Sequence, residues 1–184
     1  MNDSVRHLSR SELQAGMEEI LRSPADGGVL RLIVRRPRAN EREVLEQGRL
    51  DTEQGLVGDN WLARYAGAES VDLERQLTVM NSRVVGLVAG GVERWPLAGD
   101  QLFVDLDLGE DNLPPGSRLV VGEAVIAISA VPHTGCRKFA ARYGQDAFEF
   151  VNSDDGLRRN LRGVNARVIR PGDVRVGDKV SKTE

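Results

Sequence analysis

The chain has 184 residues, long enough for one domain with a sizeable core plus attachments, and its 25 basic residues are outnumbered by 28 acidic ones. The resulting net charge of -3 gives no general affinity for nucleic acid, while 40% hydrophobic and 29% charged residues fit a folded soluble chain rather than a disordered one. One cysteine excludes an internal disulfide, and two distant histidines, His7 and His133, give no zinc-ligand spacing.

The N-terminus MNDSVRHLSR lacks the apolar core of a signal peptide, and no later window approaches the roughly 18 apolar residues of a membrane span. A cytoplasmic protein with no membrane partner is expected. SRSELQAGMEEIL places Ser9 three residues before Glu12, the capping-box spacing, and sets Leu13, Met17, Ile20 and Leu21 on one helical face. An amphipathic helix follows from this, and SPADGG breaks it. Residues 1–27 thus read as a helical attachment to a domain spanning 28–184.

VLRLIV (29–34) has strand length, and Pro37 ends it because proline has no N–H for a ladder. From Glu41 to Tyr65 no period of two or 3.6 is sustained, so this stretch reads as mostly irregular with a helical turn, a long connection of the functional kind. QLTVMN (76–81) is the next strand, and RVVGLVAGG a short helix ended by Gly90. QLFVDLDL alternates apolar and polar residues, PPGSRLVVG adds a turn and strand, and EAVIAISAV a further strand. Consecutive strands joined by tight turns predict an antiparallel sheet closed into a barrel, a mainly β fold with a few peripheral helices. Phe139, Tyr143, Ala147 and Phe150 predict an amphipathic helix despite Gly144, and VNARVI begins a final pair of strands.

Chemistry concentrates in PHTGCRKF. A thiol at a helix start meets unpaired backbone N–H groups and the positive end of the macrodipole, both of which favour thiolate at Cys136. Arg137 and Lys138 stand against that dipole, which suggests an anionic partner. Gly135 permits close approach of a ligand, Thr134 can cap the helix or bind an oxyanion, and His133 can act as base or donor. The alternative is a small buried cysteine beside a structural histidine. Arg158, Arg159 and Arg162, with Asn165 at the entry to a strand, either bind phosphate or balance Asp154 and Asp155. Asp59 and Asn60 in GDNW form a turn that either faces a ligand or anchors Trp61.

The ordered set EQGRLDTEQGLVGDNW, RQLTVMN, GDQLFVDLDL, PPGSRLVVGEAVIAISAVPHTGCRKF and RGVNARVIRPGDVRVGDKV resembles the MOSC domain family over about residues 28–181. This is the domain found at the C-terminus of molybdenum cofactor sulfurases and in stand-alone bacterial proteins. The resemblance implies a β-barrel with helices at its ends, Cys136 at the family's cysteine position, and Arg162 and Asn165 in the motif before the penultimate strand. It implies binding of the molybdenum cofactor (molybdopterin), with Cys136 as catalytic sulfur carrier or metal ligand. Arg137, Lys138 and Arg162 are then expected to hold anionic groups and His133, Thr134, Gly135, Asn165, Asp59 and Asn60 to complete the site. Where the family often has a basic residue after Gly-Asp, this chain has Asn60.

The activities this implies are sulfur transfer or cofactor-dependent redox chemistry. Partners are then a small anionic cofactor or sulfur acceptor and an external sulfur or electron donor protein. Two alternatives stand beside it. One is a small molybdenum-dependent reductase of N-hydroxylated compounds, for which the chain offers no flavin, haem or iron-sulfur motif of its own. The other is a non-enzymatic binding module for an anionic metabolite with a passive thiol.

Overall fold

The computed structural model describes residues 6–184, so residues 1–5 of the expected attachment lie outside the described residues. Two short helices, α1 (Arg10–Ala15) and α2 (Met17–Leu21), replace the single expected helix. The Glu12 carboxylate accepts from the Ser9 backbone N–H at 2.9 Å, the reciprocal half of a capping box. Leu13 and Ile20 are buried, whereas Leu21 is exposed.

Seven strands close a barrel in the order β1 (Gly28–Arg35), β11 (Lys179–Thr183), β7 (Arg118–Val121), β8 (Ala124–Ile128), β9 (Val164–Arg170), β5 (Leu77–Asn81) and β6 (Leu102–Asp105). The seam is the antiparallel pairing of β1 with β11, Gly28 opposite Val180 and Val29 opposite Lys179. The short β2 (Glu43–Leu45) extends the sheet from β1.

The barrel is mixed, which corrects the antiparallel expectation. β5 and β6 run parallel, with Val79 opposite Leu102 and Asn81 opposite Val104. Parallel neighbours need a crossover, here supplied by α3 (Ser82–Ala89) and the 3-10 helix Val92–Ala98. The expectation failed because it made β6, β7 and β8 consecutive neighbours. Only β7 and β8 form a hairpin, Val121 opposite Ala124 across a turn opened by Gly122, whereas β6 lies between β5 and β1.

The stretch read as irregular contains β3 (Gln47–Asp51) and β4 (Gly55–Leu56), which form a second sheet with β10 (Gly172–Arg175). In β3 only Leu50 is fully buried, so alternation was too weak to signal a strand. The expected helical turn is the 3-10 segment Leu62–Tyr65.

Side chains on opposite faces of the strands fill two cores. Leu30, Ile33, Val79, Leu102, Leu119, Ile126, Ala166 and Val168 pack inside the barrel. Val34, Met80 and Phe103 point outward and pack against Leu13, Val84, Val85, Phe139, Tyr143 and Val151. Each fully buried aliphatic or aromatic side chain contributes roughly 1.5–3 kcal/mol. The expected helix after Cys136 is divided at Gly144, φ +96°, into α4 (Arg137–Tyr143) and α5 (Gln145–Asn152). Its four spaced residues, Phe139, Tyr143, Ala147 and Phe150, are nonetheless all buried. A further helix, α6 (Asp154–Arg158), leads to β9. Among the described residues no helix is long and apolar enough to cross a membrane.

Candidate functional site

Cys136 is the N-cap of α4 and is exposed, which removes the buried-cysteine alternative. It opens onto a cleft of about 570 Å³ between α4, the β1–β2 connection and the Asn60–Arg64 segment. Five cationic side chains line it: Arg36, Arg42, Arg64, Lys138 and Arg142. Among the described residues no carboxylate does.

The floor is built by a buried ion pair. Arg36 Nε donates to Asp59 Oδ2 and Nη2 to Asp59 Oδ1, both at 2.8 Å, while Nη1 donates to the Gly99 carbonyl at 2.8 Å. The Asp59 side chain is wholly buried and also accepts from the backbone N–H groups of Arg36 and Trp61. Such a two-oxygen fork fixes the guanidinium plane and holds Arg36 in the cleft. Arg42 and Arg142 are tethered by donation to the Pro96 and Leu97 carbonyls at 3.2 and 2.5 Å. Desolvation first, and then repulsion among Arg36, Arg64 and Arg142, lowers the pKa of Arg42; desolvation and Arg36 lower that of Arg64. The cleft is therefore electrostatically loaded toward an anion.

Behind it lies a second buried charge cluster. Asp100 is fully buried; its Oδ2 accepts from Arg162 Nη1 at 2.7 Å and its Oδ1 lies 3.0 Å from His133 Nε2. Burial alone raises the Asp100 pKa, but the Arg162 charge and the His133 hydrogen bond outweigh it and bring it to about 2. For His133, burial and then Arg162 repulsion outweigh the Asp100 carboxylate, so its pKa falls below 6.5. At neutral pH His133 is thus an uncharged imidazole donating Nε2–H to Asp100. Arg162 Nη2 donates to the Ala98 carbonyl at 2.9 Å, so the Ala98–Asp100 turn ties both buried arginines. Gly163, φ +107°, permits this: a Cβ there would stand 2.3 Å from the Val79 carbonyl oxygen.

His133, Thr134 and Arg162 face a different cleft, of about 530 Å³, on the far side of the Pro132–Cys136 segment. Asn165 Nδ2 donates to the Val131 and Pro132 carbonyls at 3.0 and 3.2 Å, and the Gly135 N–H donates to Asn152 Oδ1 at 2.9 Å. These bonds pin the segment that separates the two clefts.

A family description of the MOSC domain matches residues 73–181, more than half of the chain. The chain belongs to the MOSC domain family. Three solved structures share the fold. YiiM from Escherichia coli has a TM-score of 0.54 at 19% identity, covering 85% of this chain and 70% of that one. The YuaD protein of Bacillus subtilis has a TM-score of 0.54 at 17% identity, covering 83% and 94%. A hypothetical protein has a TM-score of 0.58 at 19% identity, covering 86% and 68%. No curated protein matches the chain in sequence.

This MOSC domain brings Cys136, Lys138 and Asn60 of the expected set together on the cationic cleft, with Asp59 beneath them. It sets His133, Thr134 and Arg162 on the other cleft, and Arg137 on neither. Gly135 and Asn165 hold the dividing segment rather than line the cationic cleft. Arg158 and Arg159 pair with Asp155 on the surface, and Arg158 lines the same cleft as Arg162. Sequence reasoning missed Arg36, Arg42, Arg64 and Arg142. Arg36 lies just before the Pro37 strand stop, Arg42 and Arg64 lie in the stretch read as irregular, and Arg142 lies on the helix after Cys136, so no local pattern joined them.

Proposed function

We propose that this MOSC domain binds a molybdopterin-type cofactor, or a related anionic sulfur-containing ligand, in the cationic cleft, with Cys136 as sulfur carrier or metal ligand. The observation that carries this is the exposed thiol in the same cleft as five cations and, among the described residues, no carboxylate. The residues present fit such a group. The charged forms of Arg42 and Arg64 are disfavoured by desolvation and by neighbouring arginines, Arg142 and Arg36 for the first and Arg36 for the second, which a phosphate relieves, and a soft thiolate suits molybdenum or persulfide sulfur.

Bound there, the cofactor supplies a redox-active metal. Arg36, fixed by Asp59, and Arg42, fixed by the Pro96 carbonyl, hold anionic groups in set positions, while Arg64 and Lys138 on the exposed rim attract them. Asn60 offers an amide beside them. As sulfur carrier, the Cys136 thiolate attacks the outer sulfur of an external persulfide donor, forming its own S–S bond as the donor leaves as a thiolate. The external partner is then a sulfur donor protein.

Intact mass spectrometry after expression under sulfur-loading conditions tests this. The expected result is an added sulfur atom on the wild type, lost on mild reduction and missing in Cys136→Ser, together with retained pterin. A wild type that retains neither sulfur nor pterin contradicts the assignment. Retained pterin with unmodified Cys136 leaves the metal-ligand role, and equal retention in Cys136→Ser leaves only an anion-binding module with a passive thiol.

A further inference from the structure

The second cleft is a built site with its own chemistry. Its volume, about 530 Å³, lies within the roughly 300–1,000 Å³ of small-molecule pockets. Leu113, Ile128, Val131, Val151 and Val164 make much of its wall apolar, His133 and Arg162 supply its buried polar groups, and the exposed side chains of Glu110, Thr134 and Arg158 also line it. Two observations point to an occupant. Arg162, only 5% exposed, leaves its Nε–H without a partner among the described residues. His133 spends Nε2 on Asp100, and among the described residues no group pairs with its Nδ1.

The Asp100 carboxylate decides what that free nitrogen is. Asp100 accepts on both oxygens, from Arg162 and from His133, so the imidazole proton resides on Nε2 and Nδ1 carries a lone pair. A neutral acceptor and an unpaired buried N–H in a largely aliphatic cleft together select a ligand that brings a hydroxyl, both donor and acceptor, and little other polarity. Ser129 Oγ accepts from the Val131 N–H at 3.0 Å and makes no hydrogen bond to His133.

We propose that this second cleft binds a small, largely apolar molecule carrying one weakly acidic hydroxyl, which donates to His133 Nδ1 and offers its oxygen to the unpaired Arg162 Nε–H, with Asp100 as the positioning residue for the imidazole. The site is separate from the cationic cleft and does not depend on what fills that cleft. Nδ1, oriented by a buried carboxylate on the other ring nitrogen, is then the acceptor for the ligand's hydroxyl hydrogen.

Phenol and toluene, near-isosteres that differ by the donor, are the probes. Titration of the full chain followed by amide chemical shifts is expected to move Val131–Thr134, Leu113 and Val164, with phenol binding about five- to tenfold tighter than toluene, the worth of one hydrogen bond to a neutral group. In the wild type the His133 Nδ1 resonance shifts with phenol and stays still with toluene, which needs no variant. In His133→Phe the preference for phenol disappears while toluene still binds. Equal affinities in the wild type, an unmoved Nδ1 resonance, or shifts confined to the cationic cleft overturn the proposal. Cofactor retention by the wild type is measured separately, so failure here leaves the proposed function of the first cleft intact.

Discussion

The inside of the barrel and the layer outside it are built from the same strands on opposite principles. Inside, Leu30, Ile33, Leu119, Ile126 and Val168 fill the space with hydrocarbon. Outside, Val34, Met80 and Phe103 share the layer with the buried charges Arg36, Asp59, Asp100 and Arg162. A packed apolar interior leaves no room for a ligand and serves as scaffold. Buried ion pairs add little net stability compared with hydrophobic packing, and on this side they hold side chains in fixed positions beside the two clefts.

The sharpest way to break that contrast is at Asp100. Asp100→Asn leaves Arg162 buried beside a neutral amide and is expected to lower unfolding free energy by about 3–5 kcal/mol in chemical denaturation. Pairing it with Arg162→Met should recover much of the loss, because the unpaired charge and not the missing contact is what costs.

Acid tests the same cluster without mutation. The Asp100 pKa is lowered from 3.8 to about 2, so the unfolded chain binds a proton before the folded one and about 2 kcal/mol of stability is lost as pH falls from about 4 to 2. His133, lowered below 6.5, works in the same direction at a higher pH. The unfolded imidazole protonates near 6.5 while the folded one resists, so stability present above that pH declines as it is crossed downward. His133→Phe should remove the decline near 6.5 and leave a smaller one below 4, because Arg162 still holds the Asp100 carboxylate ionised while the His133 hydrogen bond is lost. Denaturation midpoints measured across this range check both.

Inside the barrel, Ile126→Val removes one buried methylene and is expected to cost about 1 kcal/mol while leaving ligand binding in both clefts unchanged. On the rim, Lys138→Glu touches an exposed side chain and should change stability by less than about 0.5 kcal/mol while sharply weakening retention of an anion. Binding and stability thus separate according to which side of the sheet is altered.

What the sequence made legible follows the same division. The barrel strands VLRLIV, QLTVMN and VNARVI, the 118–128 hairpin, the Ser9–Glu12 cap and the helix stop at Gly90 were readable because each rests on local pattern. The parallel pairing of β5 with β6 was not, since it depends on where the α3 crossover returns the chain. Cys136 and Lys138 were readable as neighbours of a helix start. Arg36, Arg42 and Arg64 lie some 70 to 100 residues away in sequence and reach the same cleft only through the fold. The Asp100–His133–Arg162 cluster joins three segments that were each in view. Their union was invisible because a buried carboxylate and a surface one look alike in sequence.

The most direct test of the central claim is native mass spectrometry of the wild type and of an Arg64→Glu/Lys138→Glu double variant, purified side by side from cells that make molybdopterin. The account predicts a pterin-sized adduct on the wild type and none on the double variant, with unchanged unfolding midpoints. An adduct of equal abundance on both, or none on either, would contradict the assignment of the cationic cleft as the cofactor site.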